Sequence, residues 1–287
     1  MIQTPVARGI ALMLAAILTF TLMDLTAKYL VARIDPVQAL WARYTFQMVV
    51  VSLLIAPRAR TVLRAKHPWL QLFRAVALMG ATGFFFFSYK WMSLVEATAI
   101  MQISPIFIML GAAAFLGERF GQRRAIAAVV ALGGALIVLQ PGSDAFTRWA
   151  LLPIAGTLCY SSYALATRYA GRDEDVWTSL FYTATVATVV LSLAVPSVWQ
   201  PLGSELILPI ILVGVFGTLG QLLLIWSFSL AQASVLAPFS YTALIWSSIW
   251  GIVFFGDYPE PPVYLGALVI VAAGLYVWHR ETTVKPH

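Results

Sequence analysis

Residues 93–98 read Ser-Leu-Val-Glu-Ala-Thr, and residues 229–234, which follow 136 positions later, read Ser-Leu-Ala-Gln-Ala-Ser. The similarity continues beyond this pair, since residues 115–118 (Phe-Leu-Gly-Glu) match residues 254–257 (Phe-Phe-Gly-Asp). The sequence therefore predicts that the chain consists of two homologous halves. The predicted boundaries are residues 1–142 for the first half, 147–280 for the second and 281–287 for a short tail.

The composition is that of a membrane protein. Of the 287 residues, 61% are hydrophobic and only 10% are charged, whereas soluble domains have about 45–50% apolar and about 25% charged residues. A helix of about 20 apolar residues is long enough to cross the hydrocarbon core of a bilayer. Such helices would use most of this chain and leave only short connections. The composition therefore excludes a soluble enzyme with a membrane anchor.

Charged residues, proline and glycine divide the sequence into ten apolar segments, each of which is predicted to be a transmembrane helix. These segments are residues 8–32, 36–56, 69–91, 95–116, 121–140, 148–170, 175–195, 205–230, 234–254 and 260–279. Because each half then holds an odd number of spans, the second half must enter the membrane in the opposite orientation. The predicted fold class is an all-α membrane protein with two inverted five-helix repeats. Inverted repeats are the architecture of many secondary transporters, although channels are also built in this way.

The positions of Lys and Arg predict the orientation of the spans. Connections on one side of the membrane hold Arg8, Arg58, Arg60, Arg64, Lys66, Arg119, Arg123, Arg124, Arg168, Arg172, Arg280 and Lys285. Connections on the other side hold only Arg33, Lys90 and Arg148. Cytoplasmic loops carry the excess of basic residues, so both termini are expected in the cytoplasm. The same distribution explains the net charge of +6 without a nucleic-acid partner.

The repeated motifs also resemble a known family. The run from Glu96-Ala97-Thr98 to Ser104-Pro105, the following Leu116-Gly117-Glu118-Arg119 and the Gly133-Gly134 segment are similar to the fourth and fifth helices of the drug/metabolite transporter superfamily, in its ten-helix type with two EamA-like halves. The second half departs from the pattern, because Asp257 replaces the usual glutamate. The resemblance covers the whole chain and implies a multi-pass protein of the bacterial inner membrane that exports small metabolites. Bacterial aromatic amino acid exporters are one branch that the chain resembles.

The fourth and ninth segments are expected to line the transport pathway, because equivalent helices of two inverted halves face each other across a pseudo-twofold axis. Helical spacing selects one stripe on each segment. The stripes are Thr98, Gln102, Pro105 and Met109, with Met101 alongside, and Ser234, Pro238, Tyr241 and Ile245. Proline in a span removes a backbone hydrogen bond, which is tolerated where the backbone lines a cavity. The alternative is that Pro105 and Pro238 only kink two packed helices.

Aromatic, methionine and amide side chains on other segments form a second group of candidate substrate contacts. An offset of 140 residues aligns Phe20 and Met23 of the first segment with Tyr160 and Tyr163 of the sixth. The third and eighth segments add Tyr89, Gln221 and Trp226. Such side chains make adaptable apolar walls with a few orienting hydrogen bonds. The alternative for each aromatic residue is a place in the interfacial belts.

Asp24, Lys28, Arg43 and Arg74 are the charged residues that lie away from the ends of the predicted spans, where a charge is costly and usually functional. Asp24 is a candidate for proton coupling, but its spacing of four from Lys28 favours a structural pair between the two. Arg43 is expected to bind either a substrate carboxylate or a partner helix. Arg74 is expected to extend its guanidinium to the cytoplasmic surface.

The remaining motifs limit the range of functions. The single cysteine, Cys159, excludes an internal disulfide and a multi-cysteine metal site, and no cofactor is expected. Gly214, Gly217 and Gly220 follow no predicted strand, so they indicate close helix packing rather than nucleotide binding. The three histidines lie in loops or the tail and no catalytic motif is present, so the chain is not expected to be an enzyme.

Taken together, the sequence predicts a secondary transporter with a cavity near the membrane midplane. The alternatives are a channel or a non-transporting receptor and, with less support, a membrane-embedded enzyme. The small number of charges within the spans favours a small-molecule substrate that is neutral or zwitterionic and partly apolar, such as an amino acid. A monomer in the lipid bilayer would suffice, because the two halves already supply both sides of a symmetric pathway.

Overall fold

The computed structural model describes residues 5–58, 62, 64–116, 122–140, 148–170, 174–231 and 236–283. Regular structure in these ranges is entirely helical. The α-helices are α1 (Pro5–Val31), α2 (Pro36–Ile55), α3 (Pro68–Ser88), α4 (Leu94–Met101), α5 (Ser104–Leu116), α6 (Gln122–Leu139), α7 (Leu151–Ala170), α8 (Val176–Ala194), α9 (Ser204–Leu230), α10 (Thr242–Trp250) and α11 (Pro261–Thr283). A 3₁₀ turn at Ala237–Tyr241 precedes α10, and a π-helical turn at Gly251–Phe255 follows it.

Several of these helices have the length and composition of membrane spans. Six stretches in the described residues qualify, namely Pro5–Val31, Pro36–Ile55, Pro68–Ser88, Arg148–Thr167, Val176–Ser197 and Ser204–Leu230. Shorter apolar helices occupy Leu94–Ile108, Val129–Val138, Phe239–Phe255 and Pro261–Tyr276, within the other predicted segments. The prediction of an all-helical membrane protein is therefore confirmed.

The repeated motif at residues 93–98 is a helix start. The Ser93 hydroxyl accepts a hydrogen bond from the Glu96 backbone N–H at 3.2 Å, and the Glu96 carboxylate accepts one from the Ser93 N–H at 3.0 Å. This capping box satisfies two N–H groups that the first turn of a helix leaves unpaired. Helices α2 and α8 have equivalent starts in the two halves, because Asp35 and Asp175 each accept a hydrogen bond from the backbone N–H two residues ahead.

The fourth and ninth segments, which contain Pro105 and Pro238, are each broken into shorter helical pieces. The fourth segment divides into α4 and α5 at Gln102-Ile103, directly before Ser104-Pro105. Proline lacks the N–H that would continue the α4 hydrogen-bond ladder, so the break falls where the sequence requires it. The ninth segment changes from the 3₁₀ turn that contains Pro238 to α10 and then to the π-helical turn. The two breaks lie in equivalent segments of the two halves.

The helix packing follows the same equivalence. Helix α1 packs on α9, which is a contact between the first and eighth segments. Helix α3 packs on α7, which is the equivalent contact between the third and sixth segments. Helix α2 packs on α8, α6 on α11 and α4 on α10, which joins each segment to its counterpart in the other half. Exchanging the halves therefore leaves this set of contacts unchanged, as expected for two equivalent halves around one axis.

The backbones of α6 and α11 come into close contact at Gly134 and Gly266. A Cβ atom at Gly134 would lie 2.8 Å from the Gly266 carbonyl oxygen. Small residues let transmembrane helices approach until their backbones touch. The neighbouring Gly133 has no atom of another residue within 4 Å of such a Cβ. Of the two neighbouring glycines on α6, the contact therefore requires Gly134 and not Gly133.

We predict that Gly134→Ala destabilises the protein and that Gly133→Ala does not. The added methyl group at position 134 would push α6 away from α11, at a cost of about 1–3 kcal/mol for overpacking. At position 133 it meets open space and improves helix propensity. Thermal unfolding of the purified variants in detergent measures the difference. Equal midpoints for the two variants would contradict this account of the α6–α11 contact.

Candidate functional site

A buried polar cluster lies where α1, α2, α3 and α9 meet. We call it the Arg43 cluster. It consists of Met23 and Asp24 from α1, Arg43 and Gln47 from α2, Tyr89 after the end of α3, and Gln221 from α9. Tyr89, Met23 and Met101 pack in the same apolar core. The structure thus brings together predicted site residues from four segments that are distant in sequence.

Arg43 is 1% exposed and has no carboxylate bonded to it among the described residues. Its Nε donates to the Met23 sulfur at 3.1 Å, and its guanidinium carbon lies 4.3 Å from the centre of the Tyr44 ring. Its Nη1 is buried and has no hydrogen-bond partner. A buried cation needs an acceptor, and a carboxylate is the strongest match for a guanidinium.

Gly217 of α9 makes room for the Arg43 side chain. A Cβ atom at this position would lie 2.7 Å from Arg43 Nε and 3.2 Å from the Met23 sulfur. The prediction that the α9 glycines mark close packing is therefore confirmed here. Side-chain packing, rather than a nucleotide, accounts for the glycine at this position.

Gln47 lies one helical turn after Arg43 on α2, and its side chain forms a buried amide pair with Gln221. The Gln47 Nε2 donates to Gln221 Oε1 at 2.9 Å, whereas Gln47 Oε1 and Gln221 Nε2 have no partner. Buried polar atoms are normally hydrogen-bonded, so these two atoms remain available to a bound molecule. Together with Arg43 Nη1, the cluster offers two donors and one acceptor to a bound molecule.

Asp24 interacts with Tyr89 and Arg43, not with Lys28. The Tyr89 hydroxyl donates a hydrogen bond to the Asp24 carboxylate, and the Arg43 guanidinium acts on the same carboxylate electrostatically. Protein atoms surround Asp24, yet its side chain keeps some accessible surface. A carboxylate in this position can bind a cation or a proton within the bundle.

The predicted Asp24–Lys28 pair is wrong. Lys28 forms an ion pair with Asp257 and also donates to the Met92 carbonyl oxygen at 3.3 Å. Gly256, with φ of 65°, ends the π-helical turn. Asp257 directly follows this turn and supplies a carboxylate that Lys28 can reach. Lys28 therefore connects α1 to the loops before α4 and after α10, outside the Arg43 cluster.

The fourth and ninth segments are in direct contact at the predicted stripe. Gln102 Nε2 donates to the Ser240 carbonyl oxygen at 2.9 Å, and the Thr98 hydroxyl bonds to its own helix at Leu94. Tyr241 packs among Val95, Ile100 and Ile270, and its hydroxyl lies over Gly274 of α11. These residues close the space between α4 and α10, and they do not join the Arg43 cluster.

Other predicted residues lie apart from the cluster. Tyr160 and Tyr163 contact each other at the α3–α7 interface, with ring centres 6.4 Å apart. Trp226 is 39% exposed and shares an outward stripe of α9 with Leu219 and Leu230. Ser234 lies outside the described residues, as do the side chains of Pro105 and Pro238.

The expectation that Arg74 reaches the cytoplasmic surface is also wrong. Its side chain is 1% exposed. Hydrogen bonds from its guanidinium to Gln71, Thr167 and Ser179 hold it inside the bundle. These acceptors come from α3, α7 and α8, which surround the arginine before it can extend outward.

Gln47 and Asp257 are not among the substrate contacts predicted from the sequence. Gln47 is detectable as an amide four residues after Arg43 in an apolar helix, which places both on one face. Asp257 stands out in sequence only as a departure from the family pattern.

No group of three or more His, Cys, Asp or Glu side chains suited to a metal ion occurs in the ranges that the structure describes.

Comparisons with known proteins agree with this architecture. A riboflavin transporter of Rhizobium johnstonii is 28% identical over 278 residues, which is 95% of this chain and 91% of the relative. An S-adenosylmethionine uptake transporter of Rickettsia bellii is 26% identical and covers 95% and 94% of the two chains. The pseudopaline exporter CntI of Pseudomonas aeruginosa is 26% identical, with 92% and 94% covered.

One solved crystal structure has the same fold, with a TM-score of 0.62, 21% sequence identity, and coverage of 94% of this chain and 99% of that chain. The model of the EamA-like transporter family matches residues 7–140 and, a second time, residues 147–278. Since the two matches cover nearly the whole chain, the protein belongs to the EamA-like transporter family of the drug/metabolite transporter superfamily.

Proposed function

We propose that the protein is a secondary transporter that exports amino acids and related zwitterions carrying an aromatic or heteroaromatic part. The observation that carries the proposal is the fully buried guanidinium of Arg43 at the junction of α1, α2 and α9, whose Nη1 has no hydrogen-bond partner. Its natural ligand is a solute carboxylate. The family and its named relatives support transport of small metabolites, and no catalytic step is required.

The chemistry around Arg43 fits a zwitterion. Asp24 would face the ammonium group of the solute, and the Gln47–Gln221 pair would orient it by hydrogen bonds. Met101 and Trp250 pack against the core that holds Met23 and Tyr89, and they supply an adaptable apolar wall. Riboflavin and S-adenosylmethionine, which give two relatives their names, both contain fused heteroaromatic rings, so such a wall suits this class of solute.

The proposed direction is export, by alternating access around a site near the membrane midplane. One relative is named as an uptake transporter and another as an exporter, so the family does not fix the direction. The direction therefore rests on the resemblance of the repeated motifs to exporters. Opening toward the side of Lys28 would require its ion pair with Asp257 to break.

The proposed topology has ten spans, two inverted halves and both termini in the cytoplasm of a bacterial cell. The excess of Lys and Arg on one side supports the orientation. The two family matches and the exchange symmetry of the helix contacts support the repeat. A monomer suffices in this arrangement, because each half supplies the symmetric partner of the other.

The topology predicts opposite labelling of two exposed positions. In a Cys159→Ser background, Arg33→Cys should react with a membrane-impermeant maleimide in intact cells, whereas Arg64→Cys should react only after permeabilisation. Both side chains are exposed, so access to reagent is decided by the side of the membrane. Labelling of the Arg64→Cys variant in intact cells would contradict the orientation.

The substrate proposal is tested by counterflow in proteoliposomes with L-phenylalanine, L-tryptophan, riboflavin and S-adenosylmethionine. A carrier accumulates labelled solute transiently against an unlabelled pool, and a channel does not. We expect Arg43→Gln to lower kcat/KM for the zwitterionic solutes by about tenfold or more, since a hydrogen bond to a charged group contributes about 1.5–3 kcal/mol.

Arg33→Gln is the matched control for this experiment. It removes the same charge from an exposed position, where the Arg33 guanidinium contacts the carbonyl oxygen and the ring of Tyr29 in its own helix. Its transport should equal that of the parent. Unchanged transport by Arg43→Gln, or the absence of counterflow in the parent with every solute, would contradict the proposed function.

Asp24 is the proposed site of proton coupling. We expect an imposed pH gradient to drive accumulation of solute by the parent and by Asp24→Glu, because both side chains carry a titratable carboxyl group. Asp24→Asn should show weaker counterflow, because the solute ammonium loses its carboxylate partner, and it should lose the response to the gradient entirely, because an amide side chain does not bind and release a proton. Accumulation by Asp24→Asn at the parent level would show that the coupling proton binds elsewhere.

A further inference from the structure

We propose that Arg74 and Tyr163 form a second binding station for the carboxylate of the transported solute, closer to the start of α3 than the Arg43 cluster. We call this set of residues the Arg74 cluster, and it consists of Gln71, Arg74, Tyr163, Thr167 and Ser179. The proposal rests on the proposed transport of zwitterions and assigns a second position to their anionic group.

The first observation is the environment of the Arg74 charge. Its Nη1 donates to Gln71 Oε1 at 2.7 Å and to Ser179 Oγ at 2.8 Å, and its Nε donates to Thr167 Oγ1 at 3.0 Å. All three acceptors are neutral. Within the described ranges no carboxylate is ion-paired with Arg74. Neutral acceptors satisfy hydrogen bonds but leave the positive charge uncompensated, and such a charge inside a membrane bundle is costly.

The second observation is an unpaired hydroxyl beside this charge. Tyr163 is 2% exposed, its hydroxyl has no hydrogen-bond partner, and the Arg74 guanidinium carbon lies 5.5 Å from the centre of its ring. A buried phenolic O–H normally finds an acceptor. A positive charge and a free O–H donor in one place are suited to a carboxylate, which would satisfy both groups.

The third observation is the relation between the two arginine clusters. The offset of 140 residues between the halves places Tyr163 at the position of Met23, and Met23 accepts the hydrogen bond from Arg43. The first helix of each half therefore has a fully buried arginine beside the same position, and both arginines come from the first half, Arg43 from α2 and Arg74 from α3. Arg74 lies near the start of α3 and Tyr89 follows its end, so Arg74 and the Tyr89 member of the Arg43 cluster are about 22 Å apart along that helix at 1.5 Å per residue.

Two stations at different depths along one pathway fit an inverted carrier. When one end is open, the solute carboxylate is held by Arg43, and when the other end is open, it is held by Arg74. In the proposed topology the start of α3 is cytoplasmic, so the Arg74 cluster receives the solute from the cytoplasm. The ligand class is a small organic carboxylate, and a neutral carboxamide of the same shape should not bind there.

The test uses the full-length chain in nanodiscs, with benzoate as the probe and benzamide as its neutral isostere. Binding is measured as the rise in the thermal unfolding midpoint with ligand concentration, which does not require transport. We expect benzoate to stabilise the parent, and a clear benzoate response to remain in Arg43→Gln. Adding Arg74→Gln to Arg43→Gln should raise the half-saturating benzoate concentration by about tenfold or more.

Further variants separate binding from folding. Tyr163→Phe in the Arg43→Gln background removes only the hydroxyl, and it should weaken benzoate binding by about threefold to tenfold without lowering the midpoint of the ligand-free protein. Arg74→Lys in the same background keeps the charge and should retain part of the response. A purely structural Arg74 would change the ligand-free midpoint but not the difference between benzoate and benzamide.

Three results would overturn the second station. They are an absence of any benzoate response in the parent, loss of the whole response in Arg43→Gln alone, and an unchanged response when Arg74→Gln is added. Failure of the proposed function is distinguishable, because it would show as absent counterflow in proteoliposomes whatever benzoate binding the nanodiscs report.

Discussion

A guanidinium group inside a membrane bundle needs a partner, because no bulk water is available to solvate its charge. Among the described residues, Arg43 hydrogen-bonds to the sulfur of Met23 and lies against the ring face of Tyr44, and its Nη1 stays unpaired although the Asp24 carboxylate acts on its charge from nearby. The surrounding helices are arranged to tolerate this arginine, since Gly217 clears the path of its side chain. An anionic group that visits the site would supply the missing interaction, and that requirement connects the fold to transport.

The contacts at the two ends of the bundle differ in detail, although the helices follow one repeated arrangement. Helix pairs related by the repeat make equivalent contacts, and close glycine packing joins α6 to α11. At the Lys28 end an ion pair with Asp257 connects α1 to the loop after α10. In alternating access, such contacts break at one end of the bundle and form at the other while the packed pairs stay intact.

Much of the fold follows from the sequence, because apolar length, proline breaks and helix caps act locally. The capping box of Ser93 and Glu96 and the break before Pro105 are examples. The site is less predictable, since its contacts join residues far apart in the chain. Spacing of four suggested that Lys28 pairs with Asp24, but the partner Asp257 lies 229 residues away. The local sequence around Arg74 contains no information about its neutral partners on α7 and α8. The pattern alone therefore predicts that Arg74 extends to the surface.

The central claim is that Arg43 binds the carboxylate of the solute. An experimental structure of the protein with a transported zwitterion bound would test it most directly. The account predicts the solute between α1, α2 and α9, with a carboxylate oxygen within hydrogen-bonding distance of Arg43 Nη1. A solute bound with its carboxylate away from both arginine clusters, and with Arg43 Nη1 still unpaired, would contradict it.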